Sequence, residues 1–343
     1  VNRGDGHDAV IQAHHCCGDA LGMTKVIEDL LIGYAMNQGS TEGELALPNL
    51  EPQRLIRRSV PDSTASESRE MEHIQAMELL AAREFFMHSP VPLSGPVGSV
   101  DEALPPPTFP NPHITSFDPS DTRRLLGAAK SLGVTVNDLL ARDLFLAVGI
   151  WREKRNIGND RDWLRFSIPM NLRSSADEGM PMANSISMVF LDRQPSSFAD
   201  PGRLLKSIHK QMQKIKSLQL QYTFLLSLEL SRLTPGGLSE ATAADKCMST
   251  SCLSNLGPVL AHTALPDNDG RIVSGNVVLE AVDSVIPLRP HLHAAFCAYT
   301  YAGRLRVLMH CDPRVASDQD FRDLLDTYTH QIRRTIDAGN PLP

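Results

Sequence analysis

The chain has 343 residues, 42% hydrophobic and 21% charged, a globular composition long enough to bury a large core in two domains or two halves. A formal charge of −7 leaves no broad basic surface for a polyanion, so nucleic acid is a poor candidate as partner. No window approaches the roughly 18 consecutive apolar residues of a membrane span, and the six cysteines are too irregularly spaced for a disulfide framework, which fits reduced thiols in a cytoplasmic protein.

The chain begins with Val1 in a turn, Asn2-Arg3-Gly4-Asp5-Gly6, with no signal-peptide pattern, and a fragment is expected. Residues 8 to 15 then read as a short buried strand. Apolar positions Leu21, Val26, Ile27, Leu30, Leu31 and Tyr34 predict a helix over 20–36, so His15 falls at a strand-to-helix junction. Residues 38 to 69, rich in Ser, Glu, Gly, Pro and Arg, are expected as loop, and a helix over 70–87 follows. Prolines between Ser89 and Pro112 predict an extended surface crossover, because proline lacks the N–H that secondary structure needs.

Beyond it, His113 to Phe117 reads as a strand. Asp118-Pro119-Ser120-Asp121 is a helix start, and Thr135 with Asp138 caps a second helix, giving a helical hairpin. Alternation in Leu164, Phe166, Ile168 and Met170 predicts a strand ending at Asn171-Leu172-Arg173, and a further strand is expected over 185–191. Leu204, Leu205, Ile208, Met212 and Ile215 mark a helix over 201–217. A strand over 248–253 should run into the turn Ser254-Asn255-Leu256-Gly257-Pro258. Strands at 277–282, 294–301 and 304–310 follow, the last two joined by Ala302-Gly303, and Phe321, Leu325, Tyr328, Ile332 and Ile336 define a closing helix over 318–338. Alternating strands and helices predict a layered α/β fold with a mixed sheet.

The segment Ala13-His14-His15-Cys16-Cys17-Gly18-Asp19-Ala20 carries the chemistry, with two histidines ending a strand and an aspartate four positions after the second. It resembles the HHxxxDG signature of the chloramphenicol acetyltransferase-like superfamily, which includes peptide-synthetase condensation domains, wax ester synthases and alcohol acetyltransferases. The capped hairpin over 118–153, the strand ending at Arg173, the Ser254-Asn255-Leu256-Gly257 turn and the final hairpin and helix are similar to later elements of that family.

The resemblance implies two half-domains around a substrate tunnel. Residues 1–112 would be the remainder of the N-terminal half, and 113–343 the C-terminal half. It implies an acyltransferase with His15 as general base, since an attacking hydroxyl or amine must lose a proton and imidazole titrates near neutral pH. Alternation sends His14 to the opposite face as a supporting residue. Asp19 would form a buried ion pair with Arg173, and Ser254, Asn255 and Gly257 would line the tunnel or donate to an oxyanion, although Asn255 and Gly257 also suit a tight turn.

By this reading no cofactor is permanently bound. The donor is an acyl-CoA or a phosphopantetheine-linked acyl group on a carrier protein, and the acceptor is a hydroxyl in preference to an amine. Another chain is a conceivable source of the missing N-terminal part. The alternatives are a condensation-type domain forming amide or ester bonds, or a catalytically silent relative that binds a carrier protein. Three departures stand out: Ala20 replaces the usual glycine, the DFGWG turn is absent, and the part preceding the histidines is short. A zinc cluster of His14, His15, Cys16, Cys17 and Asp19 is disfavoured because adjacent side chains splay apart. Cys16 as nucleophile is set below a role for both cysteines as small loop fillers.

Overall fold

The computed structural model describes residues 4, 6–39, 45–57, 87–95, 112–177, 179–237, 239 and 246–339. In chain order the principal elements are α1 (Ala20–Asn37), β1 (His113–Ser116), α2 (Pro119–Ser131), α3 (Val136–Lys154), β2 (Leu164–Asn171), β3 (Ile186–Arg193), α4 (Pro201–Ser217) and α5 (Thr223–Arg232). There follow β4 (Ser251–Pro258), the short β5 (Asp267–Asn268), β6 (Arg271–Ser274) and β7 (Val277–Val278), then β8 (Ala294–Tyr301), β9 (Arg304–Cys311) and α6 (Asp318–Ala338).

Six strands form one mixed sheet in the order β1-β9-β8-β4-β2-β3, and β5, β6 and β7 form a small separate sheet. β8 runs parallel to β4, β4 parallel to β2, and the remaining neighbours are antiparallel. The β2–β4 register covers only Phe166 with Ser251 and Ser167 with Cys252, while β2 continues to Asn171 and β4 to Pro258.

Period-two alternation gives the sheet two buried faces. Ala294, Phe296 and Ala298 of β8 face α2, α3, α4 and α6, joining Leu125, Leu144, Trp151, Ile208 and Tyr328 in the main core. Cys297, Tyr299 and Tyr301 face the other way and pack with Ile32 and Ala35 of α1 and Ile272 of β6. The α3–α6 contact is fastened by two polar side chains. The Tyr328 hydroxyl donates to the Leu140 carbonyl at 3.1 Å, and the Trp151 indole N–H donates to the Asp320 carbonyl at 2.7 Å.

The helix starts expected at Asp118 and Thr135 are both present. Asp118 caps α2, and Thr135 with Asp138 forms a reciprocal capping box on α3. Four expectations are corrected. Residues 8–14 lie in no strand and are largely exposed, Val10 at 80% and Ile11 at 40%, since they pair with no strand among the described residues. The described part of the proline-rich crossover does not simply run over the surface: Leu93 is fully buried, and the carbonyls of Pro92 and Leu93 accept from Arg152. The strand expected over 277–282 stops at Val278, because Tyr301 and Tyr299 hydroxyls take the carbonyls of Leu279 and Val282 in place of a neighbouring strand. Ser254 to Pro258 lie within β4, not in a turn after it. The helix expected over 70–87 lies outside the described residues apart from Met87.

A pinned histidine loop at the end of the sheet

Asp19 is the N-cap of α1: its Oδ1 accepts the Gly22 N–H at 2.9 Å. Its Oδ2 accepts from Arg173 Nη1 and from the Ser185 N–H, both at 2.8 Å. Arg173 lies just past β2 and Ser185 just before β3, so one carboxylate ties the start of α1 to both ends of a strand connection. The tie continues through the backbone, where the Ala183 carbonyl accepts from Arg173 Nη2 at 2.7 Å and from the Asp19 N–H at 3.2 Å. The Asp19 side chain is 3% exposed and that of Arg173 18%, so the pair is shielded from water and its charges are met by directed hydrogen bonds.

The same junction explains a glycine. A Cβ at Gly22 would lie 3.0 Å from the Ala183 carbonyl oxygen, a tight contact that a larger residue would have to relieve by shifting α1 or the strand connection. Ala20 is the first residue of α1 and has no positive φ, so the departure from glycine there costs no backbone strain.

Asp19 thereby fixes the loop that precedes it. His14 to Cys17 form a turn closed by the Cys17 N–H donating to the His14 carbonyl at 2.8 Å. The turn points the two histidines at different partners. His14 Nδ1 accepts the Cys16 N–H at 3.2 Å and lies 2.9 Å from Cys16 Sγ. His15 meets Asn184, whose side-chain Nδ2 stands 3.0 Å from His15 Nδ1 and 3.1 Å from its carbonyl oxygen. Cys16 and Cys17 are exposed, with their sulfurs 3.9 Å apart, so they fill no loop interior. The residues weighed as a zinc cluster do not converge. Asp19 faces Arg173, His15 faces Asn184, and no group of three metal-binding side chains assembles among the described residues.

Asn184 was not among the residues singled out from the sequence. The available signal was the hairpin itself: pairing Asn171 with the start of the next strand brings the residues around 184 beside Arg173.

Ser254 and Asn255 lie on β4, the strand beside β2. The Asn255 Oδ1 accepts the Gly257 N–H at 3.0 Å, and the β4–β8 register shifts between these two residues, with Gly257 at φ 67°. Asn255 and Gly257 therefore build a bulge. Ser254 is buried, with Cys297 beside it. Because β2 and β4 are parallel, their C-terminal ends, with Arg173 after one and Ser254 on the other, lie at the same end of the sheet. Among the described residues an open cleft of about 200 Å³ lies against Arg173, Gly22 and Met182, and another of about 470 Å³ lies among Arg271, Tyr301 and Arg304. His15 and Ser254 line neither of them.

His291 and His293 precede β8. His291 has a φ of 61°, and the buried His293 bonds the Ser94 hydroxyl through Nδ1 at 2.8 Å. His88 and His209 are satisfied by Asp192 and Asp138.

The fold is that of the condensation and epimerization domains of peptide synthetases, the chloramphenicol acetyltransferase-like fold that the histidine motif resembles. Among solved structures, the epimerization domain from the third module of tyrocidine synthetase B matches with a TM-score of 0.56 and 16% identity, over 95% of this chain and 68% of that one. The first condensation domain of the CDA synthetase gives 0.60 and 14%, over 94% and 63%. The SgcC5 protein from Streptomyces globisporus gives 0.62 and 13%, over 96% and 69%. The chain thus spans about two thirds of the length of these structures. No family model matches the sequence, and no curated protein matches it. No helix among the described residues is long and apolar enough to cross a membrane.

Proposed function

We propose that the protein is a condensation-type acyltransferase that moves an acyl group from a thioester to a hydroxyl acceptor. The observation that carries this reading is the pinned loop. A buried Asp19–Arg173 pair, on a condensation-domain fold, holds His15 at the end of the sheet toward which the parallel strands β2 and β4 both run. The donor is an acyl-CoA or an acyl group on a carrier protein's phosphopantetheine arm. Solved structures of similar fold include condensation domains, one of them mediating chain release from the enacyloxin polyketide synthase.

In this mechanism His15 takes the proton of the acceptor hydroxyl as its oxygen attacks the thioester carbonyl. The tetrahedral intermediate collapses with loss of the donor sulfur, which leaves as a thiol once His15 returns the proton. Asp19 and Arg173 touch no reacting atom and serve as positioning residues. Ser254, beside the bulge of Asn255 and Gly257, is the proposed polar group on the far wall. The test is thiol release from acyl-CoA and acyl-carrier donors with alcohol and amine acceptors. Turnover that is lost in His15→Ala while the melting temperature is kept supports the reading. Release unchanged by His15→Ala, or absent with every donor, overturns it, and binding of the carrier without turnover identifies a silent binding module.

A further inference from the structure

The contact between Asn184 and His15 decides which nitrogen of the catalytic ring carries its proton. A backbone carbonyl can only accept, so the amide end of Asn184 that lies 3.1 Å from the His15 carbonyl oxygen is the nitrogen end. An oxygen there would oppose another oxygen with no hydrogen between them. The same NH2 group has a second hydrogen, and the atom 3.0 Å away is His15 Nδ1. Nδ1 must then present its lone pair, and a neutral imidazole has only one proton, which sits on Nε2.

Asn184 has little freedom to choose otherwise. It lies between Ala183, whose carbonyl accepts from Asp19 and Arg173, and Ser185, whose N–H donates to Asp19. Its backbone is held by the same clamp that holds the histidine loop, so side chain and ring face each other from two fixed supports.

We infer that Asn184 is a positioning residue that sets the tautomer of His15. With the nitrogen facing the ring, His15 offers Nε2–H, a donor. An acceptor at this position, as in Asn184→Asp, would take Nδ1–H and leave Nε2 with a lone pair able to take a proton. The catalytic consequence rests on the acyl-transfer reading, but the tautomer assignment does not.

The two are tested separately. Long-range proton–nitrogen correlation spectra of the protein labelled with 15N-histidine, with the His15 signals identified by their loss in His15→Gln, report the tautomer without any substrate. The neutral wild-type ring should be Nε2–H in at least a fivefold excess, the bias that one hydrogen bond of ordinary strength supplies. Asn184→Asp, which can only accept, should switch the ring to Nδ1–H, and Asn184→Leu should relax it to a mixture. A wild-type ring protonated on Nδ1, or one tautomer common to all three proteins, overturns the inference, and the wild-type spectrum alone suffices if a variant does not fold. In the activity arm, Asn184→Asp should exceed Asn184→Leu in kcat by at least tenfold. The acid limb of its rate profile should move to higher pH, because a carboxylate beside the ring favours the imidazolium. Switched tautomers with no thiol release in any protein would sink the acyl-transfer reading and leave the assignment standing. Equal rates in the two variants would overturn the catalytic half of the inference.

Discussion

Asp19 carries two jobs on one carboxylate, capping a helix with Oδ1 and binding an arginine with Oδ2. Removing it leaves Arg173 facing the Ala183 carbonyl with no counter-charge, which should cost roughly 3–5 kcal/mol, part of it relieved because Arg173 keeps some contact with water. A double-mutant cycle with Asp19→Ala and Arg173→Ala, followed by chemical denaturation, should show a coupling of about 1–3 kcal/mol. Additive effects would mean that the pair does not hold the loop. The cysteines give an independent check on the same loop. Burial pushes Cys252 and Cys297 up to about 11 and Cys311 up to about 12, so these thiols should resist iodoacetamide at pH 7.5 until the protein unfolds. The Cys16 side chain, by hydrogen bonding to Cys17, raises the Cys17 thiol above its ordinary value. Peptide mapping of the folded protein should therefore find Cys16 labelled ahead of Cys17. The Asp19–Arg173 pair and the place of His15 beside it were legible because the histidine motif resembles that of a known family, which implied both. Asn184 was not, since its part depends on which way an amide faces across a tertiary contact.

The helices were legible as elements because each carries its own instructions: an apolar stripe at helical spacing and a side-chain cap at the start. Strands needed partners that the sequence does not display. Residues 8–14 have a strand's composition and no ladder, and the stretch after Val278 spends its carbonyls on tyrosine hydroxyls. The α3–α6 contact also contains a group that periodicity cannot flag. Asp143 is buried between Arg142 and the Thr335 hydroxyl, and burial, which outweighs the arginine, pushes its carboxyl up to about 6. An acid whose folded value lies above its unfolded value of about 4 stabilises the fold fully only below that value, and the contribution is lost as pH rises through about 6. Wild-type melting temperature should thus fall between pH 4 and pH 7 relative to Asp143→Asn. Parallel curves for the two proteins would contradict the buried charge. Loss of the Thr135 cap of α3 in Thr135→Ala should lower stability by about 1 kcal/mol, read from denaturant midpoints.

At the scale of the whole molecule, a sheet covered on both faces was foreseeable from alternating strands and helices, and the order of elements carried the fold although identity to its structural neighbours is at most 16% among those compared. What the sequence could not display was how closely the N-terminal helix docks on the strand connection. That approach has its own test. Gly22→Ala forces a methyl against the Ala183 carbonyl, which should cost about 1–3 kcal/mol and lower thiol release by more than the stability loss explains, since Asn184 is displaced with it. Retained release in a destabilised Gly22→Ala protein would show that the junction serves folding alone.

The short β2–β4 ladder is also a dividing line. Two residue pairs join the β2–β3 hairpin to the four strands beyond it, with Arg165 and Thr250 hydrogen-bonded through backbone and hydroxyl just before them. The histidine loop is anchored on one side of that line and Ser254 lies on the other.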